Sequence, residues 1–276
     1  MTRAHTEPRT WFITGASRGL GRAFTEAALA AGDRVVGVAR DITPLAELVD
    51  GSGGRLVVFP LDVADRQAVV AGVERAHAAF GRLDVVVNNA GGAMLGMLEE
   101  VTEEQARAHL DTNFFGALWV NQAVVPLLRA QGSGHILQVS SMGSAGGFAS
   151  TGLYSAGKAA LDAMSEALAM EVERFGIKVT IVQPGGYETS LFTRGLTMTE
   201  ENPAYAPLRT WLQELWGESE DSDPKLAAAV LRQVVDLPEP PKRLILGGAA
   251  YDMVGQLTGA RTAELAKWEH LSRQAG

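Results

Sequence analysis

The sequence predicts an α/β protein built on a doubly wound, seven-stranded parallel sheet covered by helices. Short apolar runs alternate along the chain with longer stretches of helical periodicity. The apolar runs are continuous rather than alternating, as expected of strands buried on both faces. The repeated strand–helix–strand order calls for right-handed crossovers between parallel strands.

Residues 11–14 read as the first strand, residues 20–31 as a helix, and 34–39 and 55–59 as the second and third strands. Residues 65–80 read as a helix with Val69, Val73, Ala76 and Phe80 on one stripe. A fourth strand is expected at 84–88, one or two helices over 102–130, and a fifth strand at 135–139. A helix over 154–175, a sixth strand at 178–182 and a late seventh at 243–246 complete the sheet. No repeat or linker divides the chain, so one domain over residues 1–276 is expected, with a cofactor-binding and catalytic core at 9–189. Residues 190–224 break the rhythm with Pro203, Pro207, Trp211 and Trp216, then an acidic, polar patch from Glu218 to Asp223. They are expected to form an insertion over the sheet edge, a lid, or else an ordinary surface excursion. Residues 225–276 are expected to complete the sheet.

The net charge of −8 is spread over interspersed acidic and basic residues, which argues against a nucleic-acid partner. Cysteine is absent, which removes disulfides, a thiol nucleophile and zinc–thiolate sites. The histidines, His5, His77, His109, His135 and His270, show no ligand-like pairing; each reads as a surface or satisfied histidine, and no metal is expected. Residues 1–8 are polar with no apolar stretch behind them, and no apolar run approaches a membrane span. The expected compartment is the cytoplasm.

Thr14-Gly15-Ala16-Ser17-Arg18-Gly19-Leu20-Gly21 follows the first strand and opens the first helix. Glycines there let the backbone turn sharply, and the helix N-terminus offers free amides and partial positive charge to a pyrophosphate. Residues 15–19 also match G-x-S-x-G, the nucleophile elbow of serine hydrolases. That elbow normally lies well into an established sheet, and no histidine downstream stands out as its partner.

Tyr154 and Lys158 stand four residues apart, so on a helix they share a face. Ser140 and Ser141 lie just upstream. A free phenol titrates near ~10, too high for an efficient base at neutral pH, and a nearby ammonium favours its ionised form. The bland alternative for Tyr154 is a half-buried helix aromatic with a bonded hydroxyl.

Together Thr14-Gly15-x-x-x-Gly19-x-Gly21, Asn88-Asn89-Ala90-Gly91, Ser141, Tyr154-x-x-x-Lys158 and Pro184-Gly185 resemble the classical short-chain dehydrogenase/reductase family, in its order and spacing, over about residues 9–250. The tail from Asp223-Pro224-Lys225 to Leu244-Ile245-Leu246-Gly247 is most similar to the branch related to 17β-hydroxysteroid dehydrogenases. The resemblance implies a three-layer Rossmann fold and an oxidoreductase that moves a hydride between a nicotinamide and a ketone or secondary alcohol. It places Gly15, Ser17, Arg18, Gly19, Leu20 and Gly21 on the pyrophosphate and adenosine ribose. Asp62 and Val63 fall at the adenine, and Asn88, Ala90 and Gly91 beside the cofactor. Pro184, Gly185 and Thr189 flank the nicotinamide, with Tyr154 and Lys158 also touching the cofactor. Asn113 matches the family's helix asparagine, which holds a lysine-linked water. Ser141 matches the serine that steadies the carbonyl oxygen, by its thirteen-residue offset to Tyr154, with Ser140 the alternative. Gly157 departs from the small polar residue usual at its position.

The second strand ends Val38-Ala39-Arg40-Asp41. Arg40, with Arg18 in the glycine loop, favours a ribose 2′-phosphate and hence NADP(H). Asp41 turned inward would favour NAD(H), which stays possible. Ala93, Met94, Met142, Phe148, Tyr187, Leu191, Phe192 and Trp211, with Trp216, are expected as an apolar pocket wall, pointing to a small hydrophobic carbonyl or alcohol substrate. A silent NADP(H) sensor or scaffold, or a non-redox enzyme of the same fold such as an epimerase, are the competing readings. The resemblance further implies a homodimer or homotetramer through the helices at about 102–130 and 154–175. The segment with Leu265, Trp268 and Leu271 is expected to cover the lid or meet a neighbour.

Overall fold

The structure is a computed structural model that describes residues 7–216 and 221–276. In chain order its elements are β1 (Thr10–Thr14), α1 (Gly19–Ala30), β2 (Arg34–Ala39), α2 (Ala46–Gly51), β3 (Leu56–Pro60), α3 (Arg66–Phe80), β4 (Val85–Asn88) and β5 (Ala93–Leu95). They continue with α4 (Glu103–Leu110), α5 (Gly116–Gln131), β6 (Gly134–Val139), α6 (Gly152–Val172), β7 (Ile177–Pro184) and β8 (Leu196–Met198). α7 (Ala206–Trp216), α8 (Pro224–Asp236), β9 (Arg243–Leu246), α9 (Gly248–Lys267) and α10 (Glu269–Ser272) end the chain. Seven strands form one parallel sheet in the order β3-β2-β1-β4-β6-β7-β9.

Successive side chains on each strand leave opposite faces, and the core divides accordingly. Trp11 and Ile13 of β1 join Phe24 of α1 and Leu231 of α8 on one face. Phe12, between them, joins Val73 of α3 and Val124 and Leu128 of α5 on the other. Each such fully buried side chain contributes roughly 1.5–3 kcal/mol of transfer free energy. The expected alternation of apolar runs thus becomes a three-layer Rossmann-like fold, with all seven strands where the sequence placed them to within about two residues.

Helix starts are fixed locally. Asp65 accepts from the amides of Gln67 and Ala68 at the head of α3, and Asp223 from that of Lys225 at the head of α8. Residues 102–131 are two α-helices joined by a π-helical turn, Asp111–Phe115. The segment after residue 190 carries a short strand and a helix of its own. Its β8 pairs in parallel with β5, and α7 follows. The Trp216 side chain and residues 218–220 of the acidic patch lie outside the described residues. α9 docks through Ala250 and Val254, which are buried, and through Arg261, which donates to the Ala145 carbonyl at 2.8 Å. Leu265, Trp268 and Leu271 are exposed. Among the described residues no helix is long and apolar enough to cross a membrane.

Candidate active site

The strand order reverses between β1 and β4, and ligands of open α/β sheets bind outside the carboxyl ends of strands at such a switch point. The glycine loop lies there. Arg18 precedes α1 at the N-cap position but its side chain makes no cap, so the first amides of the helix have no side-chain partner. A Cβ on Gly21 would collide with the Gly15 carbonyl oxygen, so the turn closes only around a glycine. An uncapped helix start behind a tight glycine turn fits a diphosphate, which such amides bind. Thr14 locks the turn to β4: its hydroxyl accepts from the Asn89 and Ala90 amides, both at 3.0 Å, and donates to the Val87 carbonyl at 3.3 Å. The Asn89 amide group donates to the Thr14 carbonyl at 2.9 Å. Thr14 and Asn89, which the sequence shows only as motif positions, are the braces of the loop.

The other expected cofactor residues surround this point. Ser17 is buried, Leu20 half-buried, and Thr189 packs on Gly19, whose Cβ would sit 3.1 Å from that of Thr189. Asn88 turns its side chain into the core, donating to Asn121 at 2.9 Å, so only its backbone faces the crevice. Val63 is buried at the end of β3 beside exposed Asp62. Pro184 ends β7, and the Gly185 amide donates to the Leu246 carbonyl at 3.0 Å.

On the far side of the crevice, the four residues expected to carry the chemistry come together. Ser141 lies two residues past the end of β6 and caps the short turn Met142–Ala145, its hydroxyl accepting from the Gly143 amide at 3.0 Å. The Ser141 hydroxyl and the Tyr154 ring flank the same point: a Cβ on Gly143 would lie 3.3 Å from Ser141 Oγ and 3.6 Å from Tyr154 Cε1. Lys158 is fully buried one turn along α6, 6.0 Å from the Tyr154 ring centroid, and donates to the Val139 carbonyl at 2.9 Å. Asn113 sits in the π-helical turn, a feature that often marks functional sites. Its Oδ1 accepts from the Gly92 amide at 3.3 Å. A Cβ on Gly91 would approach both that oxygen, at 2.7 Å, and the Lys158 ammonium, at 3.5 Å.

Burial dominates the electrostatics. It pushes the Tyr154 phenol above its usual value, against the Ser141 hydroxyl, which lowers it. Burial brings Lys158 down to about 8, while Asp162 one turn on favours its charged form. The phenol therefore stays protonated at neutral pH. His109, one of the scattered histidines of the sequence, belongs here. Its ring meets the Tyr154 ring edge-on at 6.0 Å, and its carbonyl accepts from the Asn113 amide group at 3.0 Å. Its Nε2 is buried without a partner, and burial, then the Lys158 charge, holds it down to about 4. Its place four residues before Asn113, one turn up the same helix, was the available signal.

The sequence profile of the short chain dehydrogenases matches residues 9–199. The chain belongs to the short-chain dehydrogenase family. Oxidoreductase BOA17 of Botryotinia fuckeliana is 39% identical over 269 residues, spanning 96% of this chain and 98% of that one. A crystal structure of a short-chain dehydrogenase from Streptomyces avermitilis is 42% identical, with a TM-score of 0.92 and coverage of 99% and 100%. A short-chain dehydrogenase from Burkholderia cenocepacia, solved in complex with NADP, is 25% identical, with a TM-score of 0.75 and coverage of 95% and 97%.

Within this short-chain dehydrogenase, Arg18 and Arg40 are both exposed at the carboxyl end of the sheet. Their loops are neighbours, because Thr14 pairs with Val38 and the Ala16 amide donates to the Val38 carbonyl at 3.1 Å. Asp41 accepts from the Thr43 amide at 3.0 Å, which with the Arg18 and Arg194 charges holds its carboxyl below the usual range. The expected pocket residues divide. Ala93 and Met94 are buried in β5; Met142, Phe148 and Leu191 are half-buried; Phe192 and Trp211 are about half exposed. Tyr187 is buried in the core cluster with Leu231 and Leu246, on the α1/α8 face of the sheet, where packing accounts for its place.

Proposed function

We propose that the protein is an NADP(H)-dependent oxidoreductase that interconverts a hydrophobic ketone and its secondary alcohol. The observation that carries the reading is the convergence of Ser141, Tyr154, Lys158 and Asn113 on the crevice that the glycine loop opens. Gly15, Ser17, Arg18, Gly19, Leu20 and Gly21 hold the diphosphate end, Asp62 and Val63 the adenine, and Ala90, Gly91, Pro184, Gly185 and Thr189 the nicotinamide end. The nicotinamide, when bound, supplies or takes up the hydride.

The protein's own groups handle the proton and the oxygen. Ser141 donates to the substrate oxygen and stabilises the charge that develops there. Tyr154 gives its proton to that oxygen in reduction and removes it in oxidation. A phenol raised by burial is protonated at neutral pH, which suits it to the reducing direction. The Lys158 charge favours the phenolate left behind. Asn113 holds the neighbourhood of Lys158 through the Gly92 amide. Arg40 and Arg18 support NADP(H), since two exposed guanidinium groups on adjoining loops suit one phosphate dianion while Asp41 is engaged by Thr43. Residues 190–224 act as a lid on an apolar pocket that includes Met94, Met142 and Phe148.

NADPH absorbance in the presence of a panel of aryl and polycyclic ketones tests this. Steady consumption with at least one ketone is expected; tight NADPH binding without consumption across the panel contradicts it.

A further inference from the structure

Asp162 lies on α6 one turn beyond Lys158 and is buried. Its Oδ2 collects three donors from three other parts of the chain. The Ser144 hydroxyl reaches it at 2.7 Å, the Gln183 amide group at 2.9 Å and the Arg243 guanidinium at 2.6 Å. Ser144 lies in the turn that Ser141 caps, and its amide donates to the Ser141 carbonyl at 3.0 Å. The Ser144 hydroxyl also lies 2.7 Å from that carbonyl, and Gln183 donates to it at 2.6 Å. A hydroxyl has one proton for these two acceptors, and the carboxylate, being charged, is the stronger. Gln183 immediately precedes Pro184 at the end of β7, and Arg243 opens β9. Arg243 is held from its other side by Glu166, at 2.7 Å.

One carboxylate therefore ties the Ser141 turn, the helix of Tyr154 and Lys158, and the strand end at Pro184 into one rigid unit. We propose that Asp162 is a positioning residue for Ser141, acting through Ser144 and Gln183 to fix the Ser141 hydroxyl against Tyr154. A network used only for folding has no need to end on the turn that carries the oxyanion donor. A buried charge with several donors is a stiff support, because each bond is charge-assisted and lies in a low dielectric. Misplacement of a reacting group by about 1 Å costs on the order of 100-fold in rate.

The inference rests on the oxidoreductase reading, so its test is set to separate the two. Ser144→Ala removes one hydroxyl from a half-buried site, and Asp162→Asn keeps the shape while removing the charge. Hydrogen exchange of the cofactor-free protein is expected to speed at the amides of residues 143–145 in both variants. Ketone-reduction kcat is expected to fall about 10- to 100-fold, with the NADPH dissociation constant within about twofold of wild type. The double variant is expected to be no worse than Asp162→Asn alone, since both changes cut one path. Wild-type kcat in Ser144→Ala with unchanged exchange overturns the inference and leaves the oxidoreductase reading standing. Additive losses in the double variant also overturn it. A wild-type protein that consumes no NADPH overturns the reading and the inference with it.

Discussion

Arg40 is exposed at the end of β2, beside the loop that carries Arg18, and it is the residue on which the choice of nicotinamide rests. A charge-assisted hydrogen bond contributes about 1.5–3 kcal/mol. Arg40→Asp is therefore expected to lower the NADPH-to-NADH ratio of kcat/KM by about tenfold or more. An unchanged ratio would show that Arg40 does not reach the phosphate. At this scale the sequence was informative about identity and silent about state. The spacing of Tyr154 and Lys158 shows that they share a helix face. That burial raises the phenol and lowers the ammonium depends on elements far away in the chain, and no local pattern records it. For His109 the sequence shows only the four-residue spacing to Asn113; its other neighbours, Tyr154 and Lys158, come from another helix. Tyr187 shows the converse: an aromatic near the substrate segment looks like a pocket wall until the sheet face it lands on is known.

Among the elements, the segment after β7 is tied to the body by the β5–β8 pairing and by Glu100, which follows β5. Its carboxylate accepts from the Met97 and Asn202 amides and the Thr199 hydroxyl, each at 2.8 Å, and pairs with Arg209 of α7. Arg209 above all, opposed by burial and helped by the amide and hydroxyl donors, holds the carboxyl at about 2. The anchor thus stays charged throughout the working pH range. Glu100→Ala is expected to free residues 199–216 to limited proteolysis and to raise the KM for bulky ketones several-fold, with NADPH affinity unchanged. Equal protease resistance in the variant would show that this anchor does not hold the segment. The main strands were legible because continuous apolar runs of four or more residues are hard to mistake. The β5–β8 pair was not, since three-residue strands are too short to show a period, and β8 gains its place only by lying beside β5. The π-helical turn at 111–115 was equally invisible, because its residues continue an unbroken helical pattern.

Across the whole molecule, two buried histidines set an acid limit on stability. Burial holds His109 at about 4 and His135 at about 3, both below the ordinary value. His135 Nε2 lies 2.9 Å from the Thr180 hydroxyl, which itself donates to the Pro241 carbonyl at 2.7 Å, so the ring nitrogen is the donor. Below about pH 6.5 the unfolded chain takes up protons at both sites while the native protein does not. Stability is therefore expected to fall as pH drops from about 6.5 toward 4, and to flatten below the native values for these two groups. Urea midpoints between pH 7 and 4 measure this. His109→Gln with His135→Gln is expected to reduce the slope, and an unaltered slope would place the acid sensitivity elsewhere.

The central claim is that the Tyr154 hydroxyl delivers the proton to the substrate oxygen. Tyr154→Phe removes that one oxygen and leaves the glycine loop, Arg18 and Arg40 in place. The most direct test measures NADPH affinity by fluorescence titration and ketone-dependent NADPH consumption on the same preparation of this variant. The account predicts affinity close to wild type with turnover reduced to background. Turnover retained at a wild-type rate would contradict it.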